Sequence, residues 1–150
     1  MYIIFDTETT GLPRSFKAPI SDVDNWPRVI QLAWQLHDDD GRLVEHKDFL
    51  IKPDGFDIPY GAEKIHGIST ELASKEGVEL SEGLALFEAA LSKASFLVGH
   101  NVNFDVNVLG CEFYREERPT DWVDKKILDT CTEKTAVSYT HLTLPTTSKV

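Results

Sequence analysis

The stretch FDTETTGL at residues 5–12 constrains this chain more than any other part of it. Tyr2, Ile3, Ile4 and Phe5 form an uninterrupted apolar run, the pattern of a strand buried on both faces, and the run stops at two acids. Residues two apart on a strand point to the same side, so Asp6 and Glu8 project together, roughly 7 Å apart along the strand. No basic residue lies in the stretch. Two like charges beside an apolar strand repel and lose hydration, so one stays protonated unless a cation sits between them.

The remaining sequence predicts a sheet around that strand. Residues 11–27, with Pro13, Pro19 and Pro27 spaced through them, are too long and proline-rich for a tight hairpin and read as a rim loop. Residues 28–37 (with VIQLAWQL) and 43–51 read as strands joined by the turn DDDG at 38–41, an antiparallel hairpin. The three aspartates of that turn lack the alternating ligand spacing and distal Glu of a calcium loop, so a solvated turn is expected. Glycines punctuate residues 57–83, which should hold short helices. Leu80, Leu84, Phe87 and Leu91 recur at helical spacing with Ser81 placed to cap, predicting a helix over residues 81–94. A buried strand follows at 96–98 and breaks off into GHNVNFD, where Asn103 is placed to cap a helix that is apolar nearly all round. Residues 126–131 (KILDTC) read as a last strand. A hairpin beside strands connected through helices gives an α/β fold: a mixed sheet with helices on its faces and sites at its strand ends.

A chain of 150 residues is one domain's worth. No apolar run approaches the roughly 20 residues of a membrane span, and no basic segment with a small-residue cleavage site opens the chain, so no membrane and a cytoplasmic location are expected. Cys111 and Cys131 lack C-x-x-C spacing and are expected to be reduced thiols. A net charge of −10 argues against broad adhesion to nucleic acid through a basic face. It leaves room for a small site where metal ions carry the positive charge, since the acids that bind them count toward that total.

Asp105 supplies a third carboxylate. It follows the 96–98 strand by one short turn, and if that strand runs parallel beside the first, Asp105 meets Asp6 and Glu8 at one edge. Alone, Asp105 could merely complement a helix N-terminus, and D-x-E could be a solvated strand end. Together, three carboxylates at the ends of two buried strands, with no Lys or Arg in either motif, suit a hard cation with oxygen ligands, Mg²⁺ or Mn²⁺ rather than zinc.

FDTETTGL followed by GHNVNFD resembles the first two motifs of the DEDD exonucleases, specifically the DnaQ-like (DEDDh) 3′-to-5′ group that includes the proofreading epsilon subunit of bacterial DNA polymerase III. KIHGIS at residues 64–69 and ILDT at 127–130 resemble that group as well, so the likeness covers residues 2–131. It implies a ribonuclease H-like sheet. It also implies that Asp6 bridges two metal ions, Glu8 holds the ion on the nucleophile side and Asp105 contributes to the other, so that water hydrolyses a terminal nucleoside monophosphate away. Thr9, Thr10, Gly11 and Leu12 would meet the terminal sugar and wedge against the last bases; a plain loop start is the alternative. His66 would contact the substrate strand or simply favour a helix end closed by Gly67. Asn101 would orient the strand or brace the site, unless it caps a turn. Trp26, Trp34 and Trp122 are expected in core or rim packing rather than base stacking. The implied partners are a single-stranded nucleic acid 3′ end and a DNA polymerase subunit.

The resemblance fails at the end of the chain. Members of the group finish with a His followed after four residues by Asp, the general base and last metal ligand, whereas no Asp occurs here after Asp129. His141 has Thr146 five residues later, where the group has Asp, and is not expected to serve as a surrogate base. SYTHLTLPTT resembles the peptide translated from sequencing-adapter DNA, predicting an incomplete exonuclease domain at 1–136 and an unrelated tail at 137–150; a natural tail is the alternative. Two functions remain open: the N-terminal part of a metal-dependent 3′-to-5′ exonuclease, or a catalytically silent module of that shape that binds nucleic acid or a polymerase.

Overall fold

The computed structural model describes residues 1–130; Cys131, His141 and the 137–150 segment lie outside the described residues. The elements in chain order are β1 (Tyr2–Thr9), β2 (Val29–His37), β3 (Leu43–Leu50), α1 (Tyr60–His66), α2 (Thr70–Glu76), α3 (Leu80–Leu91), β4 (Phe96–Gly99), α4 (Val102–Arg115), a 3₁₀ turn (Asp121–Asp124) and β5 (Lys126–Asp129). The sheet runs β3-β2-β1-β4-β5. β1 pairs antiparallel with β2 and parallel with β4, β2 pairs antiparallel with β3, and β5 is parallel to β4. This is the mixed α/β sheet expected from the sequence. β1 lies at its centre, which is why its apolar run is unbroken: Ile3, Ile4 and Phe5 are all buried.

Phe5 and its cross-strand partner Trp34 point to the face covered by α3 and α4. There the Phe87 ring of α3 meets Phe5 at 5.2 Å, Trp34 at 5.3 Å and Trp122 at 5.8 Å, the latter two edge-on. All three tryptophans pack as expected. Trp34 and Trp122 are in the core, and buried Trp26 donates from Nε1 to the Pro19 carbonyl at 3.0 Å inside the rim loop. Cys111 is a buried free thiol in the same core, its pKa pushed up mainly by burial.

Two helix starts differ from expectation. α3 begins at Leu80, with Glu79 rather than Ser81 at the cap position and no side-chain cap bond, and a Cβ on Gly83 would lie 2.9 Å from the Phe49 ring, which packs close over this turn. α4 begins at Val102, so Asn103 is an exposed first-turn residue instead of the cap. The cap position falls to Asn101, left-handed at φ 54°, whose amide donates to Asp129 Oδ1 at 2.9 Å. Contact with β5 therefore sets where α4 starts, and local cap chemistry does not. Gly67 does close α1 as expected, at φ 75° with its amide on the Glu63 carbonyl.

Candidate active site

The acids sit where the topology brings strand ends together. β1 and β4 run parallel side by side, so both deliver their C-terminal ends to one edge. Asp6 is 9% and Glu8 6% exposed, in register with Ala33 and Gln31 of β2. The pairing with β2 shifts between Glu8 and Thr9, a bulge of the kind that re-aims side chains beside sites. Asp105, on the first turn of α4, is fully buried, and its Oδ1 accepts a hydrogen bond from the Thr7 hydroxyl. Thr7 lies between the two strand acids in sequence, but its side chain leaves the strand on the Phe5 side, opposite theirs, so this bond holds Asp105 to β1 from the α4 side. Three carboxylates are the kind of donor set a hard divalent cation takes, but Asp6, Glu8 and Asp105 are not gathered around one point as the sequence led us to expect. Among the described residues, no group of three or more His, Cys, Asp or Glu side chains is placed to hold a metal ion.

Beside the acids opens a cleft of about 380 Å³ that brings together Glu8, Thr9, Gly11, Leu12, His66 and Asn101. Thr9 stiffens its floor, its hydroxyl donating to the Gly11 carbonyl at 2.8 Å and accepting the Gly11 amide at 3.3 Å. Leu12 is 70% exposed at the rim. Thr10 turns elsewhere: its amide donates to the Arg28 carbonyl at 2.9 Å, and its hydroxyl accepts the Arg28 amide at 3.0 Å, locking the loop onto the start of β2. His66 Nδ1 accepts the Ile68 amide at 3.1 Å, so Nε2 carries the proton and donates to the Thr9 carbonyl at 3.2 Å. Burial pushes its pKa below the ordinary histidine value, against the smaller opposing pulls of the Thr9 carbonyl and Glu63. His66 is thus a neutral latch between α1 and the cleft floor.

Asn101 lines the cleft from the β4–α4 turn but makes no side-chain cap bond. That turn is clamped from just past β5, where the Thr130 amide and hydroxyl both donate to the Gly99 carbonyl, at 2.9 and 3.2 Å. The ILDT segment therefore braces the lead-in to Asp105. Three apolar wall residues, Phe16, Ile65 and Phe104, were missed in the sequence. Their only signal is apolar character in a polar loop or on a helix, which equally fits core packing.

The family match defines a hydrolase of the nuclease kind. Residues 3–142 match the RNase T exonuclease family, and the chain belongs to that family, a DnaQ-like exonuclease domain. The matched span runs into the first six residues of the 137–150 segment. Among curated relatives, the PolC-type DNA polymerase III of Streptococcus thermophilus is 32% identical over 130 residues, 86% of this chain and 8% of that protein. The Mycoplasmopsis pulmonis PolC-type polymerase is 33% identical over 112 residues, 75% of this chain and 7% of that protein. The chain thus spans less than a tenth of the length of these relatives. Among solved structures, E. coli exonuclease I in complex with a dT13 oligonucleotide superposes with a TM-score of 0.72 at 25% identity, covering 91% of this chain and 29% of that one. No helix among the described residues is long and apolar enough to cross a membrane.

Proposed function

We propose that this chain is the N-terminal part of a cytoplasmic 3′-to-5′ exonuclease that removes nucleoside monophosphates from single-stranded 3′ ends, acting beside a DNA polymerase. The observation that carries this reading is the cleft of about 380 Å³, which sets Glu8 against Thr9, Gly11, Leu12, His66 and Asn101 in one concavity. Exonuclease I binding an oligonucleotide and the PolC relatives being polymerases support the substrate and partner. Asp6, Glu8 and Asp105 would hold two Mg²⁺ or Mn²⁺ ions, which when bound lower the pKa of water and neutralise charge on the leaving oxygen. The chain's own residues do the rest. Thr7 keeps Asp105 at β1, Thr9, Gly11 and Leu12 orient the terminal sugar and base, and Thr10 anchors their loop to Arg28. Neutral His66 fixes the floor through the Thr9 carbonyl and moves no proton, and the apolar walls exclude water.

In this reading the domain proper is residues 1–136, and the His/Asp motif that supplies base and last ligand lies in the segment that replaces 137–150 in the parent protein. The test is release of nucleoside monophosphates from a 5′-labelled single strand with Mn²⁺. It compares the 150-residue chain, residues 1–136 joined to their natural downstream segment, and the Asp105→Ala variant of the latter. The extended protein should be active and the 150-residue chain slower by about 10²-fold or more. Full activity in the 150-residue chain overturns the need for the downstream motif. An inactive extended protein that still binds the strand makes this a silent binding module.

A further inference from the structure

The rim loop of residues 13–27 is tied down at several points. Asn25, itself buried, meets Ser15 from both sides: the Ser15 amide donates to Asn25 Oδ1 at 2.8 Å, and Asn25 Nδ2 donates to the Ser15 carbonyl at 2.9 Å. The next residue but one, Lys17, donates its amide to the Ser15 hydroxyl at 3.2 Å. From α4, the Arg115 guanidinium reaches the carbonyls of Val23 and Trp26 at 2.7 and 2.9 Å.

What the clasp holds in place is Phe16. Its backbone sits between the Ser15 and Lys17 contacts, yet its side chain is 58% exposed and lines the cleft. The ring lies 6.4 Å from that of Phe104, tilted by 47°, and both rings line the cleft. A large apolar ring on a fixed backbone, facing a cavity with a carboxylate at its floor, is a pre-organised surface whose burial is left to a ligand. The ligand needs a flat apolar face beside a polar linkage, and a nucleobase on a sugar-phosphate strand has both.

We propose that Phe16 stacks on a base of the bound strand and is a specificity-determining residue of the cleft. The inference rests on the exonuclease reading of the same cavity and adds to it a base platform on the rim loop, separate from residues 9–12. Bases inside a duplex hide both faces in the stack, so the platform serves only unpaired nucleotides. The contact reads π-surface and no hydrogen-bond pattern, so it is tolerant of sequence.

The experiment measures binding of the 150-residue chain to a fluorescent 12-mer single strand by anisotropy, with a second 12-mer whose four 3′-terminal nucleotides are abasic. Far-UV circular dichroism checks that each variant is folded. Phe16→Ala should weaken binding to the normal strand by about 5- to 150-fold, the range of one lost base–aromatic stack. Phe16→Trp should retain it, and Asn25→Ala, which leaves the ring but frees its loop, should fall between. On the abasic strand the wild type and Phe16→Ala should bind alike. Binding of Phe16→Ala within twofold of wild type on the normal strand, or an equal loss on both strands, overturns the proposal. A wild-type chain that binds neither strand overturns the exonuclease reading itself and the Phe16 assignment with it.

Discussion

Glu112 lies on α4 seven residues after Asp105, and truncating it should damage the domain more than any surface change. The carboxylate is 1% exposed. It accepts Arg28 Nε at 3.0 and 3.2 Å, an Arg115 guanidinium nitrogen at 2.8 Å and the Val29 amide at 3.0 Å. Glu112→Ala leaves two guanidinium groups facing a buried gap and a buried amide without its acceptor. Breaking a buried pair by removing one partner costs about 3–5 kcal/mol. Arg28 and Arg115 retain side-chain exposures of 28% and 15%, so water recovers part of the loss and the lower half of that range is expected. For a chain of this length, 3 kcal/mol at the midpoint corresponds to a fall in Tm of about 10 °C. Thermal and urea unfolding followed by far-UV circular dichroism would read it, with Glu112→Gln intermediate. The half-exposed Lys52–Glu79 pair at 3.6 Å is the contrast: breaking it with Lys52→Ala should cost less than about 1 kcal/mol. A Glu112→Ala loss as small as that of the surface pair would show that the buried network contributes no more than hydrated charges do, and the reasoning would fail.

Gly77→Ala should destabilise by about 1–3 kcal/mol or more, because an added Cβ would lie 2.6 Å from the Lys52 amide nitrogen and 2.8 Å from the Ile51 carbonyl carbon, besides striking the Ala73 carbonyl; unchanged urea midpoints would refute it. His66 has a lowered pKa in the folded state, so the stability it confers is complete above the unfolded value of about 6.5 and is lost as pH falls through the folded one. The Tm gap between wild type and His66→Ala should therefore narrow from about pH 7.5 to about pH 5, and a constant gap would count against the latch. By calorimetry, Mn²⁺ should bind the wild-type chain and bind Asp6→Ala markedly more weakly; equal binding removes Asp6 from the metal assignment.

The sequence revealed those features whose cause is local or periodic. β1 was legible because a central strand with neighbours on both sides and side chains buried on both faces has no polar position to spare until Asp6. The hairpin showed in its DDDG turn, and the end of α1 in Gly67, whose left-handed φ few other residues adopt. What stayed hidden depends on distant partners. α4 starts where Asp129, 28 residues on, holds the Asn101 amide, and the need for glycine at 83 in α3 comes from the approach of Phe49. Phe16, Ile65 and Phe104 carry the same apolar character whether they face a cavity or a core, and only packing separates the two. Glu112 was passed over because a single acid among apolar residues gives no sign of being buried with two arginines.

Asp105 and Glu112 together explain how the site is held at its geometry. Seven residues place them two turns apart on one stripe of α4, and each carboxylate bonds across to a different part of the sheet. Asp105 takes the Thr7 hydroxyl in β1, 98 residues away, and Glu112 takes the Val29 amide and Arg28 at the start of β2, more than 80 residues away. Arg28 in turn holds Thr10 through two bonds, Thr10 adjoins Thr9, and the Thr9 carbonyl is held by His66. One helix face therefore fixes the third acid relative to the strand acids at one end and the floor of the cleft at the other. None of these bonds lies within a single element, so the site exists only when sheet and α4 are docked. Loosening the Glu112 end must then disturb the cleft as well as the fold, because the chain of contacts from Arg28 to His66 runs through the residues that would grip a terminal nucleotide.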